Sequence, residues 1–283
     1  PYKQRVEGTY ELLKSMIEII EEDSDKIKSL RENCNQGLIS NKSYTLNWKI
    51  DSTKTSTLSF KGFEGNLIPS TITGKDRLKF DRSKPFIKDV IYQNFFKSSA
   101  DVTIPKAYLI PQGWYNVIDL LALNKIEMTI LKKDTILEVE SYRIDTYETT
   151  KQAYEGHYQH YNTTVKSNTE SKAFRKGDYL INTNQNGLRY LMETLEPQAP
   201  DSFFNWNFFD TILQQKEGFS PYVWEDKALE LLARNPKLQI DLNLKKTFNK
   251  EFADNWYAQL DWIHKQSDNY EKAHLQYPVY RIY

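Results

Sequence analysis

Cysteine is nearly absent: Cys34 is the only one in 283 residues, so no intrachain disulfide can form. A chain this long buries a full hydrophobic core without such staples, and the lack of disulfides suits a reducing compartment without ruling out export. An excess of charge of either sign is also missing. Lys plus Arg number 38 and Asp plus Glu number 38, for a formal net charge of zero. Nucleic-acid binders usually carry a basic excess or a basic stripe, and a polybasic lipid anchor needs a basic cluster, so the balance argues against both partners. No apolar run approaches the roughly 18 residues of a membrane-spanning helix. No secretory leader is recognisable, and the chain opens on Pro1 rather than Met, which reads as a cut from something longer.

The common catalytic signatures are missing too. None of the four histidines, His157, His160, His264 and His274, stands in a His-x-x-Glu, His-Glu-x-x-His or Cys/His zinc spacing. There is no phosphate-binding glycine loop, no Gly-x-Ser-x-Gly elbow and no Gly-x-Gly-x-x-Gly fingerprint. Two clusters remain. In Tyr154–Tyr161, the side chains of Glu155, His157 and His160 are metal-ligand types. On a strand Glu155 and His157 share a face while His160 points away, so a structural turn is the preferred reading. In Leu195–Asp210, Glu196 and Asp201 form a pair of carboxylates, but glycoside chemistry needs them across a cleft at a set separation. Packing plus capping is the preferred account there, with Asp201 or Ser202 capping a helix that carries Phe204 and Phe208.

What the sequence has in abundance is aromatic side chains, 19 Tyr, 14 Phe and 6 Trp. These suit strands and half-wet surfaces. Trp114, Trp206, Trp224, Trp256 and Trp262 could serve a glycan as stacking platforms, although Trp114 and Trp256 fall on apolar helical faces that favour burial.

Periodicity gives the elements. Leu13, Met16, Ile17, Ile20, Ile27 and Leu30 recur at helical spacing over Thr9–Arg31, with Asn33, Asn35 and Gly37 as the stop. Strict alternation at 44–50 and 57–63, with a polar stretch between, predicts an antiparallel pair. The Ala107–Ile110 strand, a helix with the stripe Trp114, Val117, Ile118 and Leu121, and a strand around Ile126, Met128 and Ile130 make a β-α-β unit, right-handed if its strands pair directly. Strands follow at 137–147, 161–167 and 172–181, the last with a hairpin turn at Lys176-Gly177-Asp178. Helices are expected at 185–195 with Asn184 as N-cap, at 225–234 and at 250–266, and the tail from Tyr277 is extended.

Several stretches in order resemble the carboxypeptidase A-like zinc peptidases, in particular large bacterial many-domained members. The start at Pro1-Tyr2-Lys3-Gln4-Arg5-Val6 with its helix resembles the end of the catalytic domain. Lys61-Gly62-Phe63-Glu64, Asp81–Pro85, Pro105–Pro111, Tyr154–His157, Leu195-Glu196-Pro197, Asp201–Trp206 and Tyr277-Pro278-Val279 resemble the segments after it. The family's zinc is held by a His-x-x-Glu pair and a later His, with a Glu as general base, and no position here matches that set. The resemblance implies an α+β chain in three parts. Residues 1–37 would be the last helix of an upstream catalytic domain. Residues 38–183 would be a β-rich, mostly antiparallel accessory domain with one inserted helix, and residues 184–283 a helical segment packed on it. It also implies a parent metallocarboxypeptidase, exported to the periplasm or outside the cell, that removes C-terminal residues from peptides and keeps its zinc upstream. This chain would then hold no catalytic residue, metal or cofactor, with the upstream domain and a peptide substrate as its partners. Glu155, His157, Glu196, Asp201 and Trp206 would be binding or structural positions. The alternatives are a stand-alone glycan- or protein-binding module and part of a pseudo-peptidase.

Overall fold

The computed structural model describes residues 2–215 and 218–283. The chain is α+β, and every described strand pair is antiparallel. It forms two compact units: Lys42–Thr103, and the remainder, made of the chain up to Asn41 together with Ile104–Tyr283.

The N-terminal periodicity yields two helices, α1 (Tyr2–Glu22) and α2 (Ser24–Ile39), parted at Asp23. Asn33, Asn35 and Gly37 do not stop α2, because each lowers helix stability by only about 1 kcal/mol or less when its neighbours continue the ladder. Neither helix buries a single residue.

The Lys42–Thr103 unit holds β1 (Ser43–Ile50), β2 (Ser56–Pro69), β3 (Asp76–Tyr92) and β4 (Phe96–Thr103). The expected pairing of 44–50 with 57–63 does not form; β1 pairs with β4 and β2 with β3. Asp51 bends the chain by accepting from the amide and hydroxyl of Thr53, yet its own N–H donates to Phe95 O at 2.9 Å, so the strand does not reverse there. Reversal comes at 70–75, where Ser70 N–H donates to Lys75 O and Gly74 supplies a φ of 68°.

The other unit carries a six-stranded sheet. Its strands are β5 (Ala107–Ile110), β6 (Thr129–Ile130), β7 (Thr135–Thr149), β8 (His160–Phe174), β9 (Tyr179–Asn182) and β10 (Tyr280–Ile282), in the order β6-β9-β5-β10-β7-β8. Helix α3 (Tyr115–Leu123) buries Val117, Ile118 and Leu121, as its stripe requires. The strands before and after it, β5 and β6, do not pair directly; β9 lies between them, antiparallel to both. The Lys176–Asp178 segment is a turn, with Gly177 at φ 103°, but not a hairpin, since β9 leaves β8 for β5 and β6. The Asp178 carboxylate fixes that departure by accepting from the amides of Gln112 (3.0 Å) and Arg175 (2.7 Å). The chain end supplies a central strand: β10 sits between β5 and β7.

Helix α4 (Leu188–Leu195) begins three residues later than Asn184-capping predicts, at Gly187, because Gln185 is occupied in clasping the backbone of Glu127 and Asn182. A bundle of α5 (Pro221–Arg234), α6 (Pro236–Phe248), α7 (Lys250–Asp254) and α8 (Trp256–His264) closes around Trp224, Leu232, Leu242, Phe252 and Ile263. The single helix expected over 250–266 is broken at Asn255. Asn235, Asn249 and Asn255 each cap the next helix, the side-chain oxygen accepting from the amides of Leu238, Phe252 and Ala258. The break rotates Trp256 out of the apolar stripe, leaving it 62% exposed. Asn249→Ala is expected to lower folding stability by about 1 kcal/mol, read as a shift in the urea midpoint. Among the described residues no helix is long and apolar enough to cross a membrane.

Candidate functional site

Two polar clusters stand out, both in the unit that holds the six-stranded sheet. The first lies under its centre. Arg281 in β10 is in register with Tyr108 of β5 and Glu140 of β7, so the three side chains share one row. Glu196, the residue after α4, drops its carboxylate onto that row. Tyr108 Oη donates to Glu196 Oε1 at 2.5 Å, and Arg281 Nε lies 3.3 Å from the same oxygen. Arg281 also donates to Glu140 Oε2 at 2.9 Å, and its guanidinium sits over the rings of Tyr142 and Tyr283. The row is buried at its centre, where Tyr108 is 0%, Glu196 1% and Arg281 3% exposed, and opens at Glu140, whose side chain is 21% exposed. One guanidinium thus serves two carboxylates, Glu196 buried and Glu140 partly exposed. Burial pushes Glu196 up to about 7, against the Tyr108 hydrogen bond, which favours the ionised form. Burial raises the Tyr108 phenol well above its ordinary range as well.

The second cluster joins the 150–160 loop to the 201–210 loop. Tyr154-Glu155-Gly156-His157 is a two-residue hairpin turn with positive φ at both central residues, 49° at Glu155 and 82° at Gly156. Glu155 is therefore a turn residue. His157 packs edge-on to Trp206 and stacks on Phe208. His160, at the start of β8, is buried: Thr149 Oγ1 lies 2.9 Å from Nδ1 and Asp210 Oδ1 lies 3.1 Å from Nε2. A carboxylate only accepts, so Nε2 carries the hydrogen and Nδ1 accepts from the Thr149 hydroxyl. Asp201 is exposed and accepts from Trp206 Nε1 at 3.4 Å. No helix forms over Phe204–Phe208; Ser202 Oγ instead accepts from the Asn205 amide inside a run of turns.

Of the residues singled out in the sequence, His157, His160, Asp201 and Trp206 come together with Glu155 at the rim, while Glu196 belongs to the first cluster. Glu196 and Asp201 do not face one another across a cleft, since the first is buried against Tyr108 and the second lies at the surface. Sequence reasoning missed Tyr108, Glu140, Arg281, Thr149 and Asp210. Arg281 carried a signal, a lone cation among Tyr277, Val279, Tyr280 and Ile282 in an extended tail.

A stretch of 101 residues, 35% of the chain, is 31% identical to Carboxypeptidase 2 of Trichophyton rubrum. Carboxypeptidase 2 of Trichophyton tonsurans and of Trichophyton equinum match to the same extent. Part of this chain is carboxypeptidase-related. The match spans 18% of the length of each of these fungal proteins. No family model matches the chain, and no solved structure does.

The described residues singled out as metal-ligand types do not converge on one point. Among those described, no three His, Cys, Asp or Glu side chains are grouped to hold a cation. Both nitrogens of His160 are already engaged, and Glu155 is held in the turn.

Proposed function

We propose that this chain is the non-catalytic accessory region of a larger zinc-dependent metallocarboxypeptidase, one that removes C-terminal residues from peptides, and that it packs beside the catalytic domain. Helix α1 carries the reading. Its 21 residues include Leu13, Met16, Ile17 and Ile20, each about half exposed, and none of its residues is buried. An isolated helix of this length gains its stability from burying its apolar stripe, so α1 is built for a surface that the other described residues do not supply. The similarity to part of Carboxypeptidase 2 makes a peptidase domain the natural owner of that surface. The zinc would be held there, and the role of this chain is to wall or cover the cleft.

The test compares this chain with the longer parent protein. The parent is expected to release C-terminal residues from a peptide and to lose that activity to a zinc chelator, whereas this chain alone turns nothing over. Hydrogen exchange in α1 is expected to be at least tenfold slower in the parent. Chelator-sensitive turnover by the isolated chain, or equal exchange in both, would sink the reading. A second reading, a stand-alone binding module for glycan or protein, is favoured by Tyr154, which is 61% exposed beside the half-buried Trp206. Saturable glycan binding by this chain, lost in Trp206→Ala, would select it.

A further inference from the structure

The zero net charge conceals a segregation. Lys42–Thr103 contains eleven Lys and Arg against six Asp and Glu, a net of +5, so the remaining residues carry −5. Within that basic unit β2 and β3 form a ribbon of only two strands. Side chains alternate between the faces of a strand, and residues paired across the ladder share a face. Before the register shift at Phe63/Glu64 both faces mix apolar and polar side chains, Ile87 and Ile91 with Lys61 and Asp89 on one, and Leu58, Phe60, Phe86 and Val90 with Lys88 on the other; beyond it, towards the turn, one face carries Phe63, Leu67, Leu78 and Phe80. The contacts agree: a side chain added at Gly65, on that face, would meet Leu78 and Phe80.

None of it is covered. Exposure is 70% at Leu67, 59% at Phe80, 55% at Leu78 and 44% at Phe63, and Ile72 in the 70–75 turn reaches 93%. Beyond Phe63 the opposite face carries Glu64, Asn66, Asp81, Lys79 and Arg77 with Ile68 the one apolar side chain among them, and Lys75, Arg82 and Lys84 stand at the turn and the bulge. The half of the ribbon nearest the turn is thus an amphipath, apolar on one face and charged with a cationic excess around it. Two strands alone are marginal in water, so this face has an occupant.

A second copy of the ribbon, laid face to face, would bring two cationic surfaces together, since Ser56–Tyr92 holds seven Lys and Arg against four Asp and Glu. An anionic bilayer offers both complements at once, acyl chains for the apolar face and headgroup phosphates for the lysines and arginines, which reach past the apolar layer on their long stems. We propose that the β2–β3 ribbon is an interfacial binding surface for anionic lipid membranes.

Sedimentation of the whole chain with vesicles tests this. With 30% phosphatidylglycerol in phosphatidylcholine the chain is expected to pellet. Partitioning should fall at least tenfold on pure phosphatidylcholine, or when NaCl rises from 0.1 to 0.5 M. The double variant Leu67→Asp/Leu78→Asp should remain in the supernatant while keeping its circular dichroism. Arg77→Glu/Lys79→Glu, which leaves the apolar face intact, should weaken binding to the anionic vesicles several-fold. The proposal is overturned by failure to pellet with the anionic vesicles, or by variants that pellet like the parent chain. It is also overturned by a dimer in light scattering that the Leu67/Leu78 variant breaks while vesicles are ignored, since a second copy would then own the face.

Discussion

Arg281→Leu is expected to lower folding stability by about 3–5 kcal/mol at pH 7.5, the cost of leaving a buried carboxylate without its cation. The side chain sits in the central strand of the six-stranded sheet and contacts Glu196 at 3.3 Å and Glu140 at 2.9 Å. Removing it strands Glu196 away from water and takes the cation from the partly exposed Glu140. Glu196 can relieve part of the cost by taking up a proton, so the loss should be smaller at pH 5 than at pH 7.5. Urea unfolding followed by tryptophan fluorescence at the two pH values reads both quantities. Adding Glu196→Leu should recover part of the loss, because an apolar replacement of a whole ion pair is far better tolerated than half of one. A loss below about 1 kcal/mol, or one equal at both pH values, would mean that the row is hydrated and that its ion pairs contribute like surface ones.

Glu196→Gln is expected to abolish one component of the pH dependence of stability. The folded state raises Glu196 from an ordinary carboxylate value to about 7, so it holds this proton more tightly than the unfolded chain does. The sign follows from linkage: the stabilisation is complete below about pH 4.5 and is lost as pH rises toward 7. At 1.36 kcal/mol per unit, the wild type should lose about 3 kcal/mol relative to the Gln variant between pH 4 and pH 8. The amide oxygen of Gln still accepts from Tyr108, so the hydrogen bond survives the change. Parallel stability curves for the two proteins across that range would place the titration elsewhere.

These two residues also mark how far the sequence could be followed. Glu196 drew attention as one of a pair with Asp201, but its real partners, Tyr108, Glu140 and Arg281, are 88, 56 and 85 positions away along the chain. Spacing reports which side chains share a face of one element and carries no information about what that face meets. The same reason explains the strands. Alternation at 44–50 and 57–63 marked both as strands, yet each found its ladder with a later segment, since pairing is settled by where the chain reverses. The break at Asn255 was legible in principle, Asn being a strong N-cap, but the apolar period of 250–266 outweighed it.

The amino-acid sequence by itself determined the α+β class, the stripe that buries α3 through Val117, Ile118 and Leu121, the bundle helix α5 and the antiparallel character of the strands, because local periodicity and turn chemistry act over a few residues. Only the tertiary structure decided that the last residues become a central strand and that Arg281 closes over two acids. Those outcomes depend on segments far apart in the chain meeting in space, and a single extended tail looks the same whether they meet or not.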